Sequence, residues 1–292
     1  MRPVRLPDDF AGIDQLLAAC RLADGHAALG EHKYLSLLSG SGATAAFVEV
    51  QDDRVVAYLH LSENADAGGW TFETAVHPGF RTPERLAVVV ERAIDEAADR
   101  EGTTLRTWIY NATWPDSLSA HGFRPDRELR QLRVQLPVPA PQFPDGVRLD
   151  RFQPGVDEAT WLAMNNEAFA GHPENGSWTL EILADRQAQP WWDPAGILMA
   201  WHDESLVGFC WTKDHGDGIG EIYVIAVRPD AQRMGLGRAL TGGGLEYLHE
   251  RGCHVGMLYV DAANSGAMAM YEAMGFDLHH VDQSMIATLR AD

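Results

Sequence analysis

The sequence repeats itself at an offset that drifts from 150 to 153 residues, and this repeat constrains the fold more than any other feature. Residues 55–61 match residues 206–212, and residues 75–78 match residues 226–229. Further matches in the same order are Gly102 with Gly252 and Phe123 with Phe276. Between the halves, residues 137–146 contain four prolines, which favours an extended connector. We therefore predict two similarly folded domains, residues 1–136 and 147–292, joined by the connector 137–146.

The composition argues against several classes of protein. The net charge is −19 at pH 7 and no basic patch is evident, so we expect no nucleic acid partner. No run approaches the roughly 20 apolar residues of a membrane span, and the N-terminus lacks the pattern of a signal peptide. We expect a soluble, cytoplasmic protein with no membrane partner. The sequence does not define the oligomeric state, and a monomer is our working assumption.

The cysteines and histidines do not suggest a metal site. Cys20, Cys210 and Cys253 are widely spaced and lack ligand spacing, and His249 and His254 are five residues apart rather than four. We expect three reduced core thiols and no metal.

The second half alternates strands and helices in the order β-α-α-β-β-β-α-β-α-β-β. Residues 221–227 are rich in β-branched and aromatic types and predict a buried strand. Residues 157–170 and 179–188 predict helices, and residues 276–288 predict two closing strands. The fold class is α/β, with a mixed central sheet flanked by helices in each domain.

The segment after the strand 221–227 is suited to binding phosphate. Gly235 and Gly237 allow a ligand to approach the backbone, and the first N–H groups of the following helix are unpaired and carry partial positive charge. Arg233 and Arg238 add positive charge. The segment contains neither GxGxxG nor the Gly-Lys-Ser/Thr of a P-loop. It predicts a pyrophosphate ligand that is bound neither as in a Rossmann fold nor as in a P-loop.

Two motifs resemble those of the GNAT family of acetyl-CoA-dependent N-acyltransferases. The first is the Gln/Arg-x-x-Gly-x-Gly/Ala pattern at residues 232–237, and the second is the Asn-x-x-Ala…Tyr-Glu-x-x-Gly-Phe pattern at residues 264–276. The resemblance implies acetyl-CoA as co-substrate and tandem GNAT domains. It places along the coenzyme Ile225, Ala226, Val227, Gln232, Arg233, Met234, Gly235, Leu236, Gly237, Arg238, Asn264, Ser265, Gly266, Ala267, Met268 and Ala269.

Residues 165–179, 192–196, 211–213 and 220–224 resemble tandem members of this family more closely. Those enzymes acetylate the cysteinyl amine of a sugar-cysteine compound, Cys-GlcN-Ins. The resemblance implies that the substrate is held by Glu174, Lys213, Glu221 and Tyr259. It also implies that Glu31, which follows residues 23–25, reaches the substrate from the first half.

The residue types fit a direct attack of an amine on a thioester. Glu221 could accept the ammonium proton, directly or through a water, or bind the cation, and Tyr271 could protonate the departing thiolate. A backbone N–H near Ala226–Val227 could polarise the carbonyl. Neither Cys210 nor Cys253 has an evident His partner, which disfavours a covalent cysteine route. Trp192 or Trp211 could stack on a sugar face.

The first half has lost these groups. The repeat equates Glu221 with Trp70, Gly235 with Glu84, Gly237 with Leu86 and Tyr271 with Leu118. A carboxylate at the helix start would repel a pyrophosphate. We therefore predict that residues 1–136 form a non-catalytic GNAT-like domain that shapes the substrate cleft.

Two alternatives remain open at the level of sequence. The protein could acetylate another small amine, such as an aminoglycoside or a peptide N-terminus. It could instead be a sensor that binds acetyl-CoA without turnover, although the intact Glu221 and Tyr271 argue against a sensor.

Overall fold

A computed structural model of the chain describes residues 1–39, 45–64, 68–109, 114–170, 175–176 and 178–289. The chain forms two compact units, which we describe separately. Unit 1 comprises Met1–Glu128 and Asp282–Asp292, and unit 2 comprises Leu129–Val281. In the described ranges, no helix has both the length and the apolar character required to cross a membrane.

Unit 1 is a mixed sheet with helices on both faces. Its elements are β1 (Arg2–Pro3), α1 (Phe10–Asp24), α2 (Glu31–Ser39), β2 (Ala45–Gln51), β3 (Arg54–Glu63), β4 (Gly69–Val76), α3 (Pro83–Ala98), β5 (Thr104–Ile109) and α4 (Trp114–Ala120). The strand order is β1-β2-β3-β4-β5, and only β4 and β5 are parallel. Helices α1 and α2 cover one face, while α3 and α4 cover the other.

Unit 2 has the same plan. Its elements are β7 (Val147–Arg151), α5 (Glu158–Ala168), α6 (Leu180–Gln187), β8 (Ile197–His202), β9 (Ser205–Asp214), β10 (Ile219–Val227), α7 (Leu236–Glu250), β11 (Val255–Asp261) and α8 (Ser265–Glu272). The strand order is β7-β8-β9-β10-β11, and only β10 and β11 are parallel. Helices α5 and α6 cover one face, and α7 and α8 cover the other. The predicted α/β class with a mixed, helix-flanked sheet is confirmed.

The last strand of each half of the chain joins the sheet that is formed mainly by the other half. Strand β6 (Arg124–Gln135) pairs with β11 through residues 129–135, and β12 (Asp277–Thr288) pairs with β5 through residues 283–288. Leu132 and Val134 accordingly lie in the unit 2 core, and Met285 lies in the unit 1 core. The compact units therefore differ in their bounds from the halves 1–136 and 147–292, since a repeat identifies equivalent segments but not their pairing partners.

The predicted pair of closing strands at residues 276–288 is wrong. The structure has one continuous strand, β12, at Asp277–Thr288. A second strand is not needed within this segment, because β6 supplies the strand beside β11.

The connector packs on unit 2 rather than standing free. Pro141 and Phe143 lie against helix α7, where a Cβ atom on Gly242 would come within 3.1 Å of Pro141 Cβ. Glycine at this position allows the proline-rich segment to approach the helix closely.

Candidate active site

Strand β10 separates from β11 halfway along its length. It pairs with β11 only from Ile219 to Ile222, whereas its pairing with β9 continues to Val227. The register with β9 shifts between Ile222 and Val224, which marks a β-bulge, and a bulge bends its strand. Residues 225–227 therefore keep one backbone edge paired with β9 while the other edge diverges from β11. Because the Arg228 N–H donates to the Val207 carbonyl in β9, strand alternation turns the Val227 N–H toward the diverging edge, where we predicted a donor to the thioester carbonyl.

The bulge shifts the equivalence between the two halves by one residue. In unit 2, Glu221 pairs with Lys213 and Val227 pairs with Gly208, so the two pairs are five residues apart along β9. In unit 1 the matching pair is Val76–Ala57, and five residues further along β3 the partner in β4 is Thr71 rather than Trp70. The offset of 151 failed here because β10 contains one residue more than β4. Thr71 is also no carboxylate, so the conclusion drawn from that position is unchanged.

The turn that precedes α7 has the backbone of an anion site. Arg233 and Gly235 adopt left-handed φ angles of 68° and 83°, and the first hydrogen bond of the helix runs from the Ala239 N–H to the Gly235 carbonyl. The N–H groups of residues 232–238 donate to no backbone carbonyl in the part of the chain that the structure describes. Gln232, Arg233 and Met234 are exposed. The donors present therefore fit a pyrophosphate.

Not every predicted coenzyme residue offers its side chain to a ligand. Leu236 and Met268 are buried in the unit 2 core, and the Asn264 side chain accepts a hydrogen bond from the Ala267 N–H at 3.1 Å as the cap of α8. Arg238 donates to the Ala273 carbonyl at 3.3 Å. These residues can contact a coenzyme through backbone groups or remaining donors. Ser265, Gly266 and Ala269 are exposed.

A row of polar side chains crosses the sheet face opposite α7 and α8, and we call it the polar strip: Lys213, Glu221, Tyr259, Gln131 and Arg133. Lys213 and Glu221 are register partners, as are Tyr259 and Gln131. The Gln131 amide donates to the Tyr259 hydroxyl at 2.6 Å, and the Arg133 Nε–H donates to the Gln131 side-chain oxygen at 3.0 Å. The strip thus brings together Lys213, Glu221 and Tyr259, three of the predicted substrate residues.

Glu221 lies at the buried end of a contact with a histidine that sequence reasoning missed. The His215 Nε2 lies 2.6 Å from Glu221 Oε2, and the side chains are 33% and 10% exposed, respectively. His215 directly follows the end of β9 at Asp214 and stands two residues after Lys213, so the alternation of β9, continued by one residue, places both on the same face. That alternation was the available signal in the sequence.

Aromatic rings surround Lys213. Its Nζ lies 4.4 Å from the centroid of the Trp191 ring and 5.3 Å from that of Tyr223. Trp211 is fully buried and contacts Trp191 and Tyr223, so the suggestion that Trp211 stacks on a sugar is wrong: its faces are packed against other rings. Trp192 is half-buried.

Tyr271 lies on α8 with its ring in the core. It is 5% exposed and packs against Phe276, with 5.5 Å between ring centroids. Burial raises the pKa of Tyr271 above the ordinary value of 10, because the phenolate would be desolvated. The phenol therefore remains a proton donor at neutral pH.

The two remaining predicted substrate residues have different outcomes. Glu174 lies outside the described residues. Glu31 is the first residue of α2 in unit 1, where the Gly30 N–H donates to the buried Glu73 carboxylate at 2.6 Å. Its approach to the substrate remains a prediction.

In unit 1, the protein's own side chains occupy the position of the phosphate turn. Thr82 caps α3 by accepting from the Arg85 N–H at 3.3 Å, and backbone N–H donation lowers the pKa of Glu84 in the first turn. Arg81 makes two 2.6 Å bonds to the Asp24 carboxylate. These contacts agree with the loss of phosphate-binding groups that the sequence indicates.

The three cysteines are free and buried. Burial raises the pKa of Cys210 to about 12 and that of Cys253 to about 11, so neither is a thiolate at neutral pH. Among the described residues, no cluster of three His, Cys, Asp or Glu side chains could hold a metal ion.

Comparisons with known proteins agree with this architecture. The model of the acetyltransferase (GNAT) family matches residues 159–276. The chain is 42% identical to mycothiol acetyltransferase from Thermomonospora curvata, over 92% of each chain. It is 41% identical to mycothiol acetyltransferase from Thermobispora bispora, over 94% of this chain and 95% of the relative.

Solved structures share the fold over the whole chain. A GCN5-related N-acetyltransferase from Sphaerobacter thermophilus is 26% identical, with a TM-score of 0.71 over 99% of this chain and 95% of that one. A tandem GNAT protein from the clavulanic acid biosynthesis pathway is 19% identical, with a TM-score of 0.77 over 100% and 98%, and it shows the fold alone. The chain therefore belongs to the GNAT family of acetyltransferases, alongside the mycothiol acetyltransferases.

Proposed function

We propose that this protein transfers the acetyl group of acetyl-CoA to the cysteinyl amine of Cys-GlcN-Ins, which yields mycothiol. The observation that carries the proposal is the buried Glu221 carboxylate beside the point where β10 leaves β11. It lies in a chain that is 42% identical to a mycothiol acetyltransferase over nine-tenths of its length.

Acetyl-CoA supplies the activated acyl group. The N–H groups of residues 232–238 and the Arg233 guanidinium would hold its pyrophosphate, and a backbone N–H near Ala226–Val227 would polarise the thioester carbonyl. The start of α8, residues 264–269, where Ser265, Gly266 and Ala269 are exposed, would contact the coenzyme on its other side.

The polar strip would bind the amine substrate and take its proton. Lys213, Tyr259 and Glu174 would bond to hydroxyl groups of the sugar, while Glu221 would bind the ammonium and remove one proton from it. An α-amine titrates at about 7.7–8.0, so this demand on Glu221 is modest. Tyr271, a neutral phenol, would protonate the departing thiolate. The raised pKa values of the buried thiols support direct transfer without an acyl-cysteine.

The test is turnover of Cys-GlcN-Ins and acetyl-CoA followed by mass spectrometry of the product. We expect a product that carries one acetyl group on nitrogen and still reacts with a thiol reagent. An aminoglycoside and a short peptide serve as alternative acceptors. Faster CoA release from acetyl-CoA with either of these acceptors than with Cys-GlcN-Ins would overturn the proposed substrate. Binding of acetyl-CoA with no CoA release in the presence of any acceptor would favour the sensor.

A further inference from the structure

The contact between His215 and Glu221 joins a buried carboxylate to a side chain that reaches solvent. The two atoms, His215 Nε2 and Glu221 Oε2, are 2.6 Å apart. The glutamate side chain is 10% exposed and the imidazole 33% exposed. The pair therefore forms a hydrogen-bonded connection from the interior of unit 2 to bulk water.

The β9–β10 hairpin holds the imidazole in this position. The His215 N–H donates to the Ile219 carbonyl at 3.0 Å, and the Gly216 N–H donates to the Asp214 carboxylate at 2.8 Å. Gly216, Asp217 and Gly218 all have left-handed φ angles, from 52° to 77°, which close the turn tightly. His215 is thus placed by backbone geometry, and its side chain is free to serve Glu221.

A buried base needs a route by which its proton leaves. Each turnover would deliver one ammonium proton to Glu221, and the carboxylate must be regenerated before the next. The other groups on this face suit the task less well: Lys213 is a cation stacked on aromatic rings, Tyr259 accepts from Gln131, and Arg133 is permanently charged. An imidazole changes its charge between pH 5 and 8 and can accept and release a proton.

We propose that His215 relays the amine proton from Glu221 to solvent, an inference that depends on the function proposed above. The ammonium gives one proton to the Glu221 carboxylate, which leaves a neutral amine and a carboxylic acid. The acid O–H passes its proton to His215 Nε2, which restores the carboxylate and forms an imidazolium. The imidazolium then releases the proton on Nδ1 to water, and proton exchange with water returns the ring to its Nδ1–H tautomer, which leaves Nε2 open for the next turnover and no charge in the site. His215 acts through Glu221 and is a positioning and relay residue rather than a catalytic one.

Two substitutions separate a relay from simple orientation of the carboxylate. In His215→Gln the side-chain amide can still donate to Glu221 but cannot carry a proton, and His215→Ala removes both abilities. The matched control is His254→Gln, because His254 lies against Gly218 at the same end of the sheet and no bond joins it to Glu221 among the described contacts. The measurement is kcat/KM for Cys-GlcN-Ins near pH 7, with and without added imidazole.

The relay predicts that His215→Gln and His215→Ala both lose at least about 10-fold in kcat/KM near pH 7, a modest share of a typical acid–base contribution. Added imidazole restores His215→Ala, whereas His254→Gln keeps the wild-type rate with or without imidazole. A wild-type rate in His215→Gln, or a deficient His215→Ala that imidazole does not restore, would overturn the relay alone. A wild-type enzyme that does not acetylate Cys-GlcN-Ins would overturn the proposed function and the relay with it.

Discussion

At the scale of single residues, Glu221 is the most direct test of the proposed chemistry. Glu221→Gln keeps the shape of the side chain but cannot accept a proton, so we expect kcat/KM for the amine to fall about 10²- to 10⁴-fold with little change in KM for acetyl-CoA. Initial rates of CoA release measure both. The exposed carboxylate of Glu246 on α7 provides the control, since Glu246→Gln should leave the rate intact. A Glu221→Gln enzyme as fast as wild type would exclude a base at this position.

Tyr271 tests the acid on the leaving side. Because burial raises its pKa above 10, the phenol is protonated throughout pH 6–9, and its protonated form contributes to stability until the pH rises through that raised pKa. Tyr271→Phe keeps the ring beside Phe276, so we expect kcat to fall at least about 10-fold while the thermal midpoint stays close to wild type. Stopped-flow and calorimetric measurements separate the two effects. A lowered thermal midpoint together with a normal kcat of the folded enzyme would show that Tyr271 serves core packing and not proton donation.

The sequence predicted Glu221 and Tyr271 because they belong to local motifs, whereas it missed His215, which contacts Glu221, and Gln131, which contacts Tyr259. His215 stands two residues after Lys213, which is one strand period. Three residues with left-handed φ angles follow it directly, so the sequence at this point indicates a glycine-rich turn rather than a strand. Gln131 is adjacent to Tyr259 only because β6 crosses into unit 2. No local pattern specifies that pairing.

At the scale of elements, the start of α7 can be tested by straining one glycine. Gly235 has φ 83° with no atom within 4 Å of an added Cβ, so Gly235→Ala introduces backbone strain of about 1–2 kcal/mol without a clash. The strain would shift the N–H groups that we propose hold the pyrophosphate, and we expect a higher KM for acetyl-CoA. Gly252, at the opposite end of α7, has φ 95° and the same open surroundings. Gly252→Ala should lower the thermal midpoint similarly yet leave KM unchanged, and equal KM effects would argue against a pyrophosphate at Gly235.

Helix α2 provides a second test at this scale. The Glu73 carboxylate accepts from the Gly30 N–H at 2.6 Å and so fixes the residue before Glu31. If Glu31 binds the substrate, Glu73→Ala should raise KM for Cys-GlcN-Ins about 10-fold, because a lost charge-assisted bond is worth about 1.5–3 kcal/mol, and it should spare KM for acetyl-CoA. Steady-state kinetics with each substrate varied in turn give both constants. Glu31→Gln is the reference variant, since it should also raise KM for Cys-GlcN-Ins. If Glu73→Ala changes only KM for acetyl-CoA, α2 does not contribute to the amine site.

Element types were predictable and element register was not. The apolar run of residues 221–227 and the glycine turn predicted a strand followed by a helix, as observed in β10 and α7. The bulge between Ile222 and Val224 adds one residue that no composition reveals, and it moved the equivalent of Glu221 from Trp70 to Thr71. Register depends on pairing across strands, which a single sequence does not contain.

At the scale of the whole molecule, the exchange of β6 and β12 determines which pieces of the chain can fold. A fragment of residues 147–292 lacks residues 129–135, so β11 loses one neighbour and the core loses Leu132 and Val134. A fragment of residues 1–136 lacks Met285 and the strand beside β5. Unpaired strand edges promote aggregation. We expect each fragment to be insoluble when expressed alone, and coexpression of both to restore a soluble, active protein.

We expect the opposite result when the connector 137–146 is cut only after the protein has folded. A protease site inserted at the exposed Pro139 and Ala140 would cut the chain while both β6 and β12 remain paired. Because each piece then contributes a strand to the unit formed mainly by the other, the cut protein should elute at the size of the intact chain and retain its activity. The uncut inserted protein is the control for the insertion itself. Separation of the pieces on a sizing column, or a cooperative thermal transition in residues 147–292 alone, would show that the exchanged strands contribute little to stability.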